Sequence, residues 1–455
     1  MLIGEWSACN HFNNPGRNGD FTKAEVNVYN QASLGWTFWS WTGGQSATAP
    51  ISAQSQCEKD RLANVKSGKT KVVGPNIGSW LVLEAWMAGN VWDSNGVPPV
   101  HSKTKVRGSN LGSWLVMESW MAPQPWDEND CNKGTQGGSY LLEKCLGNIA
   151  PAVLQKHWST FITENDFAEM SKHGVNVVRV PIGWWQIYLY LNIYDPQGGA
   201  SKAKLNYHIT PTDYHVGGLA YIDKAFEWGQ KYGIGILLGM HAAPGSQNGN
   251  DHSSPAEHPG QINWDKYPAN IGQTVESMEL YAQRYAEKEA LFGFCLLNEP
   301  AHIDIGKLQD YYNRAYAAVR KHSADSHIVL NPLITPFESG TESHWTGFMN
   351  PDQGFTKVAM DLHYYSCFGG GADQTNPDGA IGYINWDRKN QIADYHAKNP
   401  KQMLIGEWSA CNHFNNPGRN GDFTKAEVNV YNQASLGWTF WSWTGGQSAT
   451  APCFI

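Results

Sequence analysis

From residue 104 onward, short apolar runs of strand length alternate with longer stretches in which apolar residues recur at helical spacing. Helices are predicted over residues 163–173 and over residues 221–232, where Ile222, Ala225 and Phe226 share one face. The apolar runs predict strands at residues 106–110 with 114–117, 175–180, 234–238, 292–297, 328–330, 358–362, 403–405 and 438–441. Eight strands separated by helices favour the α/β class and a (β/α)8 TIM barrel, whose active site lies at the carboxyl ends of the strands.

Two duplications add surplus sequence ahead of the barrel region. Residues 1–50 recur letter for letter as 403–452, and residues 70–95 are an imperfect copy of 104–129. Two unrelated repeat lengths are not typical of a solenoid, and they indicate a recent duplication, a tandem-gene fusion or a faulty gene model. We therefore predict a surplus segment at 1–50, a linker at 51–103 that contains the copy of the first strand, and a barrel over 104–455.

The two perfect copies compete for the seventh and eighth strand positions of a single barrel. The copy at 403–452 follows the sixth strand through a helical connection of ordinary length around residues 387–398, whereas the copy at 1–50 has to return across the linker. Because the entropy of loop closure grows only slowly with length, that term alone does not decide between them. The ordinary connection favours 403–452, and with it Glu407 over its duplicate Glu5.

Composition argues against several classes of function. Charged residues make up 16% of the chain, the formal net charge is −8, and no run of Lys or Arg occurs, so neither nucleic acid nor an anionic membrane is expected as a partner. No stretch approaches the length of a membrane span, and no charged-then-apolar leader of a signal peptide is visible. The 21 Trp and 20 Tyr fit core packing and also stacking on sugar rings.

The eight cysteines form no CxxC pair, so a zinc site is not predicted, and no spacing of acids and histidines predicts another metal. Cys131 and Cys145 bracket a glycine-rich loop and are candidates for a disulfide if the protein is exported.

Two of the predicted strands end in a single carboxylate. The run FCLLNEP (294–300) carries Glu299, and the run LIGEW (404–408) carries Glu407. Cleavage of a glycosidic bond with retention needs one carboxylic acid to protonate the leaving oxygen and one carboxylate about 5 Å away to attack the anomeric carbon. The fourth and seventh strands of a barrel end on opposite sides of its mouth and can meet that distance, although a lone Asn-Glu-Pro is also a common helix start.

Short motifs follow one another in a fixed order from about residue 105 to 445. They are NLGSWLVME (110–118), HWSTF (157–161), GVNVVRVPIGWW (174–185), HAAPGSQNG (241–249), NEP (298–300), DLHYY (361–365), GEWS (406–409) and FWSW (440–443). Together they resemble glycoside hydrolase family 5, and within it best the exo-β-1,3-glucanase (glucan 1,3-β-glucosidase) branch.

The resemblance implies a retaining hydrolase that needs no cofactor and releases glucose from β-1,3-glucan, with Glu299 as acid/base and Glu407 as nucleophile. It implies that Arg179 orients and ionises Glu407, and that Asn298 bonds the 2-hydroxyl of the sugar. The other substrate-binding positions that it implies are His241, His363 and Tyr365 beside the cleaved sugar, Trp443 as its stacking floor, Glu118 and Asp251 at the closed end of the pocket, and Phe368 at the entrance.

The sequence departs from the resemblance at two positions. Asn250 stands where the fungal branch has a Phe that helps to clamp the next sugar, and Gly239 stands where it has an Asp. These changes bear on the acceptor site and on strict exo action more than on bond cleavage.

Two alternatives stay open. One is an endo-acting β-glucanase, a β-mannanase or a transglycosylase on the same barrel, and the other is a catalytically inactive glucan-binding fusion product. The family and its substrate imply a location outside the cell or in the cell wall. We expect a monomer without membrane insertion that acts on β-glucan polysaccharide or oligosaccharide.

Overall fold

The computed structural model describes residues 2–6, 35–39, 72–76, 105–191, 214–256, 260–414 and 416–444. The chain divides into two compact units, Met1–Gly96 with Ile455, and Val97–Phe454. In the first unit, β1 (Leu2–Trp6), β2 (Gly35–Trp39) and β3 (Val72–Asn76) form a three-stranded parallel sheet in that order. The rest of the predicted surplus segment and linker, together with the tail after Thr444, lies outside the described residues.

The second unit contains a closed barrel of eight parallel strands, so the predicted (β/α)8 fold is confirmed. Around the barrel the strands follow chain order, and the last pairs with the first. They are β4 (Val106–Asn110), β5 (Val177–Gly183), β6 (Gly235–Ala242), β7 (Leu291–Cys295), β8 (His327–Leu330), β9 (Val358–Tyr364), β10 (Gln402–Trp408) and β11 (Gly437–Phe440). The segment of the duplicated sequence that stands in the barrel is therefore the one that contains Glu407.

Helices alternate with these strands along the chain. They are α1 (Gln124–Asp127), α2 (Ser139–Leu146), α3 (Ala150–Phe161), α4 (Glu164–Lys172), α5 (Trp185–Leu191), α6 (Gly218–Tyr232), α7 (Pro268–Tyr285), α8 (Ile305–Arg320), α9 (Ser343–Thr346), α10 (Pro377–Tyr383), α11 (Lys389–Lys398) and α12 (Asn420–Tyr431). A π-helical turn, Ile384–Arg388, joins α10 to α11, and short 3-10 turns include Asp251–Ser253 in the loop after β6.

Local sequence signals explain the two helices that were predicted in detail. Helix α4 begins with a capping box, in which Thr163 and Asp166 satisfy each other's backbone amides. Helix α6 buries Ile222 and Phe226 on its apolar face and ends at Gly233, whose φ of 67° is the left-handed conformation that glycine adopts without strain. Both helices match the predicted segments within three residues at either end.

The strand predicted at 114–117 is wrong. After β4 the chain turns sharply at Ser113, with φ of 56°, and residues 114–116 form a bend rather than a strand. Trp114 is fully buried, and its indole N–H donates to the carbonyl of Trp158 at 2.9 Å. The apolar run is therefore explained by burial of a loop against α3, which periodicity cannot distinguish from a short buried strand.

The barrel interior is filled by apolar side chains from all eight strand positions. One core cluster consists of Val106, Val177, Leu237, Phe292, Cys295, Val329, Ala359, Leu404 and Leu436. Packing of this kind closes the lower part of a barrel and leaves only its mouth for polar groups.

Two disulfides fix loops of the second unit. Cys131 pairs with Cys145, as the sequence had suggested, and Cys367 pairs with Cys411. None of the helices in the described part of the chain combines the length and the apolar character needed to cross a lipid bilayer.

Candidate active site

Polar side chains converge at the mouth of the barrel because parallel strands end there side by side. Most strands contribute one or two of them at or just beyond their carboxyl ends. These residues are Asn110 at the end of β4, Arg179 within β5, His241 on β6, Asn298 and Glu299 after β7, Asn331 after β8, His363 and Tyr365 at the end of β9, and Glu407 on β10.

Arg179 lies at the centre of the site and is completely buried. Its Nη1 donates to Asn110 Oδ1 at 2.9 Å and to Glu407 Oε1 at 2.8 Å, and its Nη2 donates to Asn298 Oδ1 at 2.5 Å. Asp361 lies further off, at 4.0 Å from Nη2. Burial lowers the pKa of Arg179, but the charge of Glu407 more than offsets burial and raises it, so the guanidinium stays charged.

Glu407 is held on both of its oxygens. Arg179 binds Oε1, while the Tyr365 hydroxyl donates to Oε2 at 2.9 Å and His363 Nδ1 lies 3.4 Å from the same oxygen. Burial raises the pKa of Glu407, and the positive charges of His363 and Arg179 oppose that rise. The next residue inward is Gly406, where a Cβ would collide with the carboxylate of Asp361.

Glu299 lies between two imidazoles and is more open to solvent than Glu407, with 14% of its side chain exposed against 5%. His363 Nδ1 lies 2.7 Å from Oε1, and His252 Nε2 lies 3.1 Å from Oε2. Burial raises the pKa of Glu299, but side-chain hydrogen bonding with His252 and His363 outweighs burial and holds that pKa well below its ordinary value.

The backbone of Glu299 is also unusual. Its φ of 48° is in the left-handed region, which is strained for a residue with a Cβ. Asn331 Oδ1 accepts a hydrogen bond from the Glu299 amide at 2.5 Å, and Asn248 Nδ2 donates to the Glu299 carbonyl at 3.0 Å. These two bonds stabilise a conformation that turns the carboxylate into the mouth of the barrel.

The two carboxylates approach each other closely. Ligand atoms of Glu299, His363 and Glu407 all lie within 4.8 Å of one another. A cluster of this composition can hold a metal ion, but here the groups already bond each other, with His363 in contact with both acids. Two carboxyl groups at this separation fit a retaining glycosidase, in which one acid attacks and the other transfers the proton.

Histidine charges differ sharply across the site. Burial lowers the pKa of His363, but the charges of Glu407 and Asp361 prevail and raise it to about 10. For His252 burial again opposes the charge, and bonding to Glu299 raises the pKa to about 9. Burial holds the pKa of His241 well below its ordinary value, so that ring is neutral.

Several buried polar atoms at the mouth have no hydrogen-bond partner among the described residues. They include Asn298 Nδ2, both ring nitrogens of His241, and Glu118 Oε1. Burial raises the pKa of Glu118 to about 8, and its other oxygen, Oε2, accepts from the Trp120 indole at 3.0 Å. Buried polar atoms without partners are costly, so these atoms are available to the hydroxyl groups of a ligand.

The aromatic side chains of the last strand are placed differently from the sequence prediction. Trp443 is half-buried, and its indole N–H donates to Asp166 Oδ1 at 2.9 Å, at the start of α4. Trp441 is the indole that lies parallel to the His241 ring, with centroids 5.5 Å apart and planes 8° apart. Trp441 is thus the aromatic platform beside the cluster of polar groups.

The two remaining predicted positions lie at the edge of the site. The carboxylate of Asp251 packs against Gly137 and its backbone against Gly138, so a Cβ added at either glycine would collide with Asp251. Phe368 is 80% exposed and meets the Tyr365 ring edge-on at 5.3 Å. Phe368 is therefore an aromatic group at the entrance, one residue after a disulfide cysteine.

Two residues at the site were missed by sequence reasoning. Trp441 lies in the same FWSW motif as Trp443, and only the structure separates the two roles. His252 follows the predicted Asp251, and no spacing in the sequence indicated that its ring reaches Glu299.

Comparisons with known proteins identify a family and several relatives. The family model described as "Cellulase (glycosyl hydrolase family 5)" matches residues 146–447. A probable glucan 1,3-beta-glucosidase A of Emericella nidulans is 31% identical over 75% of this chain and 67% of its own length. A probable glucan 1,3-beta-glucosidase A of Aspergillus niger is 30% identical over 82% of this chain and 83% of its own length.

Among solved structures, a rutinosidase from Aspergillus niger superposes with a TM-score of 0.60. It is 17% identical in sequence, and the match covers 78% of this chain and 94% of that one. At this identity the likeness concerns the barrel fold alone.

Proposed function

The chain belongs to glycosyl hydrolase family 5, and on that basis we propose that it cleaves the β-1,3-glucosidic bonds of glucan with retention and releases glucose. The named relatives are glucan 1,3-beta-glucosidases, which supports the linkage and the substrate class. The observation that carries the mechanism is the pair of carboxylates within 4.8 Å at the barrel mouth, each with different partners.

In this proposal Glu407 is the nucleophile. Arg179 and the Tyr365 hydroxyl each hold one of its oxygens, which keeps the carboxylate ionised and fixes it for attack on the anomeric carbon. The attack forms a covalent glycosyl-enzyme and expels the leaving sugar. Because the groups that hold Glu407 come from β5 and from the end of β9 in a rigid barrel, little reorganisation accompanies the step.

Glu299 is the acid/base. It lies on the more exposed side of the pair, where a leaving group and then a water molecule can reach it. In the first step it gives the leaving oxygen the proton that it shares with its histidine partners. In the second step it takes a proton from water, which attacks the anomeric carbon and frees Glu407. Two carboxylates and water complete the reaction, so no cofactor is required.

Sugar recognition is assigned to the partnerless polar atoms and to two aromatic rings. Asn298 Nδ2, whose partner oxygen is held by Arg179, is placed to donate to a sugar hydroxyl beside the nucleophile. Glu118 Oε1 bonds a hydroxyl group at the closed end, Trp441 is the stacking surface under the cleaved sugar, and Phe368 contacts the next sugar.

An extracellular or cell-wall location belongs to the same proposal. The disulfides Cys131–Cys145 and Cys367–Cys411 favour an oxidising compartment, and the polymeric substrate is found outside the cell membrane.

Hydrolysis of a soluble β-1,3-glucan tests the proposal, with products resolved by size and the anomer of the released glucose followed by NMR. Glu407→Gln should lower kcat by about 10⁴-fold or more, because the covalent step is lost. Glu299→Gln should lower it by roughly 10²- to 10⁴-fold.

The duplicate supplies a matched control. Glu5→Gln makes the same change in the same local sequence and should leave activity unchanged. β-Glucose as the first product would support exo action with retention, and oligosaccharides would instead indicate an endo-acting or transglycosylating enzyme. A fully active Glu407→Gln variant, or an inactive Glu5→Gln variant, would contradict the assignment of the nucleophile.

A further inference from the structure

His252 lies on the 3-10 turn after β6 and has contacts that the proposed mechanism does not use. Its Nε2 lies 3.1 Å from Glu299 Oε2 and 2.9 Å from Asn248 Nδ2. The same nitrogen thus faces a carboxyl oxygen on one side and an amide nitrogen on the other. Whether His252 Nε2 or Glu299 Oε2 carries the proton between them depends on whether Asn248 presents a donor or an acceptor to Nε2.

The amide of Asn248 has its orientation fixed by two other bonds. Its Oδ1 accepts from the backbone N–H of Asn250 at 2.9 Å, and its Nδ2 donates to the carbonyl of Glu299 at 3.0 Å. A flipped amide would set two donors against each other at Asn250 and two acceptors against each other at Glu299. Asn248 therefore presents its second N–H to His252.

An N–H that points at Nε2 requires a lone pair there. If Nε2 carried a proton, two donors would face each other at 2.9 Å. With a lone pair on Nε2, the ring is neutral and protonated on Nδ1, and that single lone pair is shared between the Asn248 N–H and Glu299 Oε2 in a three-centre contact. The hydrogen in the contact between His252 and Glu299 then belongs to Glu299 Oε2.

Charges in the surroundings oppose this placement. The acids that face His252 are Glu299 beyond β7, Glu118 beyond β4 and Glu407 on β10, and they raise its pKa to about 9 although burial lowers it. On the other side lies the neutral His241 ring of β6, at a centroid distance of 5.3 Å. The high pKa keeps one proton in the pair up to alkaline pH, and the position of that proton within the pair is a separate question.

We propose that Asn248 and His252 are positioning residues that keep this shared proton on Glu299 in the free enzyme. The inference rests on the proposed role of Glu299 as the acid. The glycosidic oxygen of the substrate takes the proton from Oε2, and the O–H bond of Glu299 breaks as the O–H bond of the leaving sugar forms. In the second step the proton of the attacking water returns to Oε2, so His252 is neutral before and after turnover.

A neutral His252 balances the effect of His363 on the protonation of Glu299. His363 is charged and bonds Oε1 of Glu299, which favours the carboxylate and so weakens the acid. A neutral acceptor at Oε2 stabilises the protonated carboxyl and acts in the opposite direction. Glu299 therefore has one partner suited to each of the two protonation states through which it passes.

Nitrogen-15 NMR of the histidine-labelled full chain, without substrate and near neutral pH, tests the proposal. The shifts and couplings of the two ring nitrogens distinguish a neutral ring protonated on Nδ1 from one protonated on Nε2 and from an imidazolium. His252→Gln identifies the signal by removing it. We expect the Nδ1-protonated neutral ring, and either of the other two forms would overturn the proposal.

Asn248→Asp provides a second test. It keeps an acceptor for the Asn250 amide but replaces the N–H at His252 with an oxygen, so His252 should become an imidazolium and Glu299 a carboxylate. Hydrolysis of aryl β-glucosides with poor leaving groups should fall by about 10²-fold or more, and that of dinitrophenyl β-glucoside much less, because only the former needs the acid. Equal losses on both substrates in a variant that unfolds like the parent would contradict the proposal.

Failure of the proposed function has a different signature. A parent chain that hydrolyses neither glucan nor any aryl glucoside would remove the role of Glu299 as an acid. The protonation state of His252 would still be readable in the spectra of that inactive protein.

Discussion

The same amino-acid sequence stands in two environments in this protein. In the barrel, β10 lies between β9 and β11, whereas its duplicate β1 pairs with β2 at the end of a three-stranded sheet. The pairing is the same in both places, since Leu404 faces Gly437 as Leu2 faces Gly35, and Gly437 faces Val106 as Gly35 faces Val72. The small sheet thus repeats the β10–β11–β4 part of the barrel.

What differs is the other side of the acid-bearing strand. Glu407 has β9 as a neighbour, and β9 is followed by the Tyr365 hydroxyl, while Arg179 reaches Glu407 from β5. Within the described residues, β1 has no strand that corresponds to β5 or β9. The comparison teaches that a strand ending in a carboxylate becomes a catalytic element only through groups that other strands supply.

The largest expected effect on activity comes from truncating the chain so that only one of the two copies of the duplicated strands remains. A chain of residues 97–455 should keep glucan hydrolysis within about twofold, because the barrel is a compact unit of its own. A chain of residues 1–402 lacks almost all of β10 and the whole of β11, leaves β9 and β4 each without a partner on one side, and should lose both activity and cooperative unfolding. An active 1–402 chain would show that the N-terminal copy can occupy the two empty positions.

A smaller effect is expected from removing the Tyr365 hydroxyl, a group that lies beside Glu407 in the barrel. Tyr365→Phe removes the hydroxyl on Glu407 Oε2 and should lower kcat by about 10- to 100-fold, the range expected for a hydrogen bond to a charged group. Kinetics on a soluble β-1,3-glucan measure it. The control is Tyr364→Phe one position earlier, which should stay near parental kcat because its ring packs under Arg388. Equal rates for the two variants would mean that Tyr365 does not hold the nucleophile.

The smallest expected effect is on the pH dependence of stability. It compares Glu118 with its counterpart in the imperfect copy at residues 70–95. The pKa of Glu118 rises from 4.5 to about 8 on folding, mainly through burial. The folded protein then binds a proton that the unfolded chain has lost, so the free energy of unfolding falls as pH rises from about 4.5 to 8. Glu118→Gln should reduce that fall by at least about 1.4 kcal/mol, the equivalent of one pKa unit.

Urea titrations at several pH values measure this effect. Glu84→Gln, the corresponding change in the copy at 70–95, is the matched control and should leave the pH dependence as in the parent. An unchanged slope in Glu118→Gln would mean that the carboxyl of Glu118 is ionised in the folded protein.

Much of the barrel was predictable because each strand is a short apolar run between polar segments. The positions of Glu299 and Glu407 followed from the rule that parallel strands end at one face. The run at 114–117 misled the prediction because a buried loop and a buried strand have the same apolar content. Burial alone, as for Trp114, does not specify a backbone conformation.

The partners of the acids were less accessible to sequence reasoning. His252 reaches Glu299 only through the fold of the loop after β6, and the indole on His241 is Trp441 rather than Trp443. The disulfide between Cys367 and Cys411 joins loops that follow β9 and β10, and sequence spacing does not pair them. These contacts depend on side-chain direction and on loop paths, for which a single sequence has no periodic signal.

Closure of the barrel between β11 and β4 has a consequence for folding during synthesis. The hydroxyl of Ser109 bonds the carbonyl of Phe440, across 331 positions of the chain, so the ribosome completes nearly the whole barrel before its seam can form. Until then β4 lacks its β11 neighbour, while the chain already contains β1 and β2, which have the same sequences as the missing strands. We expect the small sheet to reduce this competition by sequestering β1 and β2 with β3 early, so that the seam closes with the strands synthesised last.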